Sequence, residues 1–240
     1  MDRSQRNFTD NNRLKPFLRK IIHEAHVGFI PGRNAFDHAF LLSEVVDYAR
    51  KHQNNEGSII IVDQQKAYNR VSMFYLFQCL TRLGFNLEFC SWISMLIVQL
   101  SSSLFINGYL SLEFDTLRGL RQGDPLSPHL YAIALQPLIH ELLVSMQGYK
   151  LCRKDIKLLA FADDLVLFPK NANDISLVIR IFDIYNKASN AQLKKIKTQL
   201  VPFNMNTRND LLQFQTTFKI INENEIFAYL GYPFKEMILT

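Results

Sequence analysis

At 240 residues, with 48% hydrophobic and 20% charged side chains, the chain has the composition of a globular protein able to bury a full core in one domain or one and a half. The formal charge of +5 leans toward an anionic partner and excludes nothing by itself. Cys79, Cys90 and Cys152 are odd in number, far apart and without a C-x-x-C pair, which argues against a disulfide framework or a zinc ribbon and for a reducing, intracellular setting, nuclear or cytoplasmic. The residues after Met1 form no apolar signal core. The longest apolar stretch, Leu130 to Val144, is broken by Gln136, Pro137, His140 and Glu141, so no membrane span is expected.

In chain order, apolar residues at Phe36, Ala39, Phe40, Val46 and Ala49 predict a helix over about Ala35 to His52, ending before a polar turn. A strand, Ser58 to Val62, follows. Ser72 can cap a helix running to Leu83, with Gly84 past its end, and a further helix runs from about Leu87 to Leu100. Asn107-Gly108 between Ser102–Ile106 and Tyr109–Phe114 signals a hairpin, because this dipeptide fills the positive-φ positions of a tight turn. Ser127 and Pro128 stand as cap and first residue of a helix reaching Met146, with a kink expected at Pro137. Two short strands flank Asp163-Asp164 within Leu158 to Phe168. An amphipathic helix covers Ile175 to Ala188, and Phe227 to Phe234 reads as a final strand pair. Strands and helices mix without regular alternation, which predicts α+β.

Asp163-Asp164 is the most informative pair. Adjacent carboxylates between apolar strands raise each other's pKa unless a cation sits against them, so a divalent metal is one reading; a surface hairpin that uses Asp as a turn residue is the other. Asp63 ends the strand Ile59-Ile60-Ile61-Val62, where a side chain reaches the sheet edge. If that strand lies beside the hairpin, three carboxylates converge and can hold two Mg²⁺ ions about 4 Å apart. The spacing of His23 and His26 is not that of H-E-x-x-H zinc hydrolases, and no P-loop is present.

Val62-Asp63-Gln64-Gln65-Lys66-Ala67-Tyr68-Asn69-Arg70-Val71 resembles the first catalytic motif of LINE-type (non-long-terminal-repeat) reverse transcriptases, and Phe161-Ala162-Asp163-Asp164 resembles their second. Gly119 to Pro128, containing Gln122-Gly123, is similar to the loop and helix that contact template and nucleotide. Further matches are Gly28-Phe29-Ile30-Pro31-Gly32-Arg33, Ala188-Ser189 to Lys197-Thr198, and Tyr229-Leu230-Gly231. Six elements in order cover the chain from about Leu14 to Phe234.

The resemblance implies a right-hand polymerase palm with partial fingers and no thumb: residues 1–56 as a fingers remnant with lead-in helices, and 57–240 as palm with fingers-type helices inserted at about 72–101. It implies RNA-directed DNA synthesis with Asp63, Asp163 and Asp164 on two Mg²⁺ ions (Mn²⁺ as a substitute). Tyr68 would lie under the nucleotide sugar, Gln122 and Gly123 would line the nascent base pair, and Arg33 and Lys197 would touch template or phosphate. Tyr229, Leu230 and Gly231 would support the primer. Residue by residue, blander readings stand beside these: a core aromatic at Tyr68, a solvated Arg33, solvated Lys194 and Lys195, a loop leading to a helix at Gln122-Gly123, and core packing at Tyr229-Leu230. The implied partners are an RNA template, a DNA primer, deoxynucleoside triphosphates, and fingers, thumb and endonuclease segments outside this sequence. A truncated, inactive remnant is the alternative, and an RNA-dependent RNA polymerase is disfavoured by Ala162 and the flanks. Asn69 stands where the family mostly has Asp, Lys194 where Asn is usual, and Asn190 where Gly is common.

Overall fold

The computed structural model describes residues 14–52, 56–97, 101–115, 118–194, 196–221 and 225–235. Its centre is β1 (Ser58–Val62), whose run of β-branched residues is buried on both faces, as suits a strand covered from both sides. β1 pairs antiparallel with β9 (Asp164–Leu167) on one side and β10 (Gln199–Pro202) on the other. β8 (Leu158–Phe161) continues the sheet beyond β9, and β11 (Lys219–Ile220) lies parallel to β10, giving the order β11-β10-β1-β9-β8.

Side-chain alternation divides the core. Ile60, Val62, Ala160, Leu165, Leu167 and Leu200 face one apolar cluster, while Ile59, Leu159, Val166 and Val201 face the other. The first is roofed by α1 (14–21), α4 (Met73–Arg82), α5 (Leu87–Ile97), α6 (Ser127–Ser145) and α7 (Ala172–Ser189). The second holds Leu42, Val45, Val46 and Ala49 of α2 (Ala35–Lys51), together with Phe203 and Phe227. The last helix turn before the loop at Val71 is α3 (Ala67–Arg70). Fully burying such aliphatic side chains stabilises the fold by about 1.5–3 kcal/mol each before chain entropy is counted.

The predicted elements are present with small shifts. Helix α6 is buried nearly all round, as a helix at the centre of a domain must be, and it runs through Pro137 as one helix. Its start differs from the expectation: Ser127 is the first helical residue, Leu126 takes the cap position, and Asp124 supplies the acceptors, its Oδ1 to the Leu126 N–H (2.9 Å) and its carbonyl to the Ser127 N–H (3.2 Å). Helix α7 begins earlier than expected because the Asn171 side chain caps it. Around Asn107-Gly108 the hairpin is two short pairings, β3 (Phe105–Ile106) with β4 (Tyr109–Leu110) and β2 (Ser101–Ser102) with β5 (Phe114–Asp115). Residues 98–100, the end expected for the helix from Leu87, lie outside the described residues. The hairpin of β6 (Tyr149–Leu151) and β7 (Lys154–Ile156) and the helix α8 (Met205–Leu211) were not foreseen. No helix among the described residues is long and apolar enough to cross a membrane.

Candidate active site

Strand pairing brings the two separated acidic segments together. Val62 is opposite Leu165 across the β1–β9 ladder, so Asp63, one residue past β1, emerges at the same sheet end as the Phe161–Asp164 turn. The turn is tight: Phe161 pairs with Asp164 and leaves Ala162 and Asp163 as its two central residues, with Ala162 at φ 52°. That conformation is uncommon for a residue with a Cβ and is retained where surroundings enforce it. They do so here. The segment before Phe29 runs along the free edge of β8, with the Val27 N–H donating to the Ala160 carbonyl (2.9 Å) and the Ala160 N–H donating to the Ala25 carbonyl (2.8 Å). Gly28 presses so closely on the turn that a Cβ there would stand 2.3 Å from the Ala162 nitrogen.

The three carboxylates are electrostatically coupled. Burial pushes the Asp163 carboxyl above the usual carboxylate range, and Asp63 adds to the shift. Asp164 is pushed up to about 6 by burial, then by Asp163 and Asp63. By surface area Asp164 is open to solvent on one side; protein packed on its other sides accounts for the shift, and exposure limits its energetic weight. Among the described residues no three His, Cys, Asp or Glu side chains are drawn into a ligand cluster. The donor set nevertheless suits a hard dication: all three are carboxylates on one sheet end, and their mutual repulsion is what a cation would relieve.

Residues around the acids hold them in place, and several were not foreseen. Gln64, buried, donates from Nε2 to the Asp163 carbonyl (3.3 Å), tying the first acidic segment to the second. The Asp63 N–H donates to Thr198 Oγ1 (3.3 Å), and the Asp63 carbonyl accepts the Lys194 N–H (2.9 Å). Lys194 Nζ lies 3.6 Å from Asp63 Oδ1. Nothing in the spacing of these residues marks such contacts, since they depend on long-range pairing, of β1 with β9 and of Gln64 with Leu193.

Tyr68 is half-buried, stacked on Tyr131 with centroids 4.6 Å apart, and its hydroxyl is pushed up by burial and then by Asp163. The Gly119–Gly123 loop starts against this segment, its Leu120 N–H donating to the Tyr68 carbonyl (2.8 Å) and its Gly119 N–H to the Val71 carbonyl (3.1 Å). Gln122 and Gly123 follow on the exposed part of the loop, Gly123 at φ +90°. Beside it a hollow of about 630 Å³ is lined by Asn69, Phe114, Asp115, Arg118, Gly119, Leu120 and Arg121.

The other expected contacts divide. Tyr229 is buried, with Asp164 contributing to the upward shift of its hydroxyl, and Leu230 and Gly231 form the positive-φ turn between β12 (Ile226–Tyr229) and β13 (Tyr232–Lys235). Lys197 is exposed, on the rim of a cavity that Lys194 also lines. Lys195 lies outside the described residues. Arg33 is turned inward: Nη1 donates to the His23 and His26 carbonyls (2.6 Å each) and Nη2 to the Ile22 carbonyl (2.7 Å), where it caps the end of α1. Asn190 takes a left-handed cap at φ 62°, a conformation that Asn tolerates and Gly favours, and its Nδ2 donates to the Arg70 carbonyl (3.1 Å).

An acidic strand end beside an acidic hairpin turn, with helices on both faces of a small, mostly antiparallel sheet, defines the palm of a right-hand polymerase. The family profile "Reverse transcriptase (RNA-dependent DNA polymerase)" matches residues 7–234, and the chain belongs to that family. Its relatives place it with the non-long-terminal-repeat retrotransposon enzymes. The chain is 30% identical over 188 residues to the Transposon TX1 uncharacterized 149 kDa protein of Xenopus laevis, covering 78% of this chain and 14% of that protein. It is 30% identical over 152 residues to the Retrovirus-related Pol polyprotein from type-2 retrotransposable element R2DM of Drosophila melanogaster, covering 63% of this chain and 14% of that one. Among solved structures, apo telomerase from Candida tropicalis superposes with a TM-score of 0.60 at 12% identity, over 83% of this chain and 37% of that one. Telomerase from Candida albicans, in complex with a fragment of telomeric RNA, gives 0.57 at 18%, over 80% and 34%. These likenesses show the fold. The chain spans about a seventh of the length of the two curated transposon relatives.

Proposed function

We propose that this chain carries the catalytic centre of RNA-directed DNA synthesis, in which a primer 3′-hydroxyl attacks a deoxynucleoside triphosphate on an RNA template. The observation that carries the reading is the placement of Asp63 beside the Asp163-Asp164 turn by the β1–β9 pairing, with both of the latter raised mainly by burial and further by Asp63. Asp63, Asp163 and Asp164 would hold two Mg²⁺ ions, or Mn²⁺, which when bound neutralise charge on the phosphates and activate the attacking hydroxyl. Gln64 and Thr198 hold the acidic segments in register. Tyr68 presents the edge of a ring braced on Tyr131 to the nucleotide sugar. Gln122 and Gly123, on a loop anchored to the Tyr68 segment, meet the nascent base pair. Arg118 and Arg121 of the adjoining hollow suit a template phosphate. Lys197 faces the triphosphate, and Tyr229, Leu230 and Gly231 support the primer. Arg33, committed to backbone carbonyls, positions the Gly28-Phe29 segment rather than a phosphate. The helices at 73–97 serve as the fingers-type insertion, and thumb and endonuclease functions belong to other parts of a longer protein.

The test is primer extension on an RNA template with Mg²⁺ and deoxynucleotides. Asp63→Asn and Asp163→Asn should each lower extension by at least about 100-fold while the fold is retained, as loss of a transition-state charge contact does. Undiminished extension by either variant would sink the reading.

A further inference from the structure

Phe29 is held in a backbone conformation that its side chain disfavours, and its ring is left half outside. Its φ is 60°, in the left-handed region. The Phe29 carbonyl faces His129 Nε2 at 3.0 Å, with His129 buried in α6, and on the other side Gly28 abuts Ala162 of the acidic turn. Phe29 is thus clamped between the helix that follows the Gln122-Gly123 loop and the turn that bears Asp163. Core packing does not explain the ring: it is 52% exposed, with its centroid 5.8 Å from that of Phe161, two residues before Asp163. Costly conformations persist where the surroundings enforce them, and they concentrate at ligand-handling sites.

We propose that the ring of Phe29, backed by Phe161, is a platform for the uncharged sugar and base edge of the primer's terminal nucleotide. The inference rests on the proposed function, since it is the primer's 3′-hydroxyl that must reach Asp163. Charge selects which part of the strand meets the ring. An apolar ring offers a phosphate no counter-charge, so the neutral sugar and base of a nucleotide are its complement, and aromatic side chains are common partners of bases in nucleic-acid strands. The ring, fixed by backbone anchors on both sides, would give the terminal nucleotide one resting height above the acids.

The experiment measures binding of a dye-labelled DNA primer on an RNA template, carrying 2-aminopurine as the 3′-terminal base, without nucleotide. Phe29→Ala should weaken binding by about fivefold or more and abolish the change in 2-aminopurine emission on binding, as loss of one base–aromatic contact does. Phe29→Trp should preserve both. Phe74→Ala, which removes a more exposed phenylalanine (73% against 52%) from α4, should change neither. If Phe29→Ala fails to fold by circular dichroism, Phe29→Leu, which keeps bulk without a ring, replaces it with the same expectation. Parental affinity and emission in the ring-less variant, an equal loss in Phe74→Ala, or no duplex binding by the parent would each overturn the proposal. Its failure is separable from failure of the catalytic reading, which is decided by primer extension with Asp163→Asn.

Discussion

Lys194 Nζ and Asp63 Oδ1 stand 3.6 Å apart, on segments already joined by the bond from the Lys194 N–H to the Asp63 carbonyl. The ammonium is therefore a resident cation on the first of the three acids. Both side chains are about a third exposed, so the pair stabilises the fold by at most about 1 kcal/mol. Lys194→Gln is expected to leave thermal stability nearly unchanged and to tighten Mn²⁺ binding by up to about fivefold, the equivalent of that energy, because no ammonium has to leave Asp63 first. Mn²⁺ titration by electron paramagnetic resonance, with Asp63→Asn as the reference for lost binding, checks this. Unchanged or weaker binding in Lys194→Gln would show that the lysine does not compete.

Asp164 gives the metal-free protein a specific pH dependence. Its carboxyl is raised to about 6 in the folded state, above the usual value near 3.9, so between those pH values the folded chain binds more protons than the unfolded one. Its contribution therefore favours the fold at acid pH and is lost as pH rises through about 6. Asp164→Asn should raise the thermal midpoint at pH 7.5 in the presence of a chelator and leave it nearly unchanged at pH 4. An equal shift at both values would assign the effect to packing instead.

Much of the site was legible because its parts are local. The strand Ser58–Val62 and the paired runs around Asp163-Asp164 follow from apolar patterning, and Asp63 comes at the strand's end where the reading set it. What escaped is long-range or conformational. Gln64 on the Asp163 carbonyl, Thr198 under the Asp63 N–H and Lys194 on its carboxylate arise when a segment more than 120 residues downstream folds back beside β1, or when two strands distant in sequence pair. Arg33 looked like a solvated or phosphate-binding side chain because a sequence does not reveal unsatisfied helix carbonyls nearby. The missed cap at Leu126 has the same cause, since Asp124 supplies the bonds from outside the helix.

Gly28 is where the acidic turn leaves no room for a side chain. A Cβ would stand 2.3 Å from the Ala162 nitrogen and 3.0 Å from the Phe161 carbonyl carbon, both backbone atoms that cannot rotate away. Gly28→Ala should therefore cost about 1–3 kcal/mol through overpacking and displace the acidic turn, depressing primer extension more than its stability loss explains. Gly84→Ala meets no atom within 4 Å, so it carries only the strain of φ +86° and should cost about 1–2 kcal/mol with no further effect on synthesis. Chemical denaturation paired with extension at a temperature where both variants are folded separates the two.

Tyr68 makes the core contact of one of its two sequence readings and keeps the partial exposure that the other requires. One face of its ring lies on Tyr131, which is core packing, while the side chain as a whole is only half-buried and senses Asp163. A ring braced in this way is stiff, and if the nucleotide sugar enters beside it as proposed, a stiff edge excludes a 2′-hydroxyl by contact alone. Tyr68→Phe keeps the ring and should retain both the fold and the preference for deoxynucleotides. Tyr68→Ala should lose about 1–3 kcal/mol of stability with the stack and should incorporate ribonucleotides at least about tenfold more readily relative to deoxynucleotides. The ratio of kcat/KM for the two sugars, measured on folded protein that includes fingers and thumb, is the deciding quantity, since loss of stability lowers both rates together and leaves their ratio alone. If Tyr68→Ala stays folded and active and discriminates as its parent does, the ring is a core aromatic and some other residue sorts the sugars.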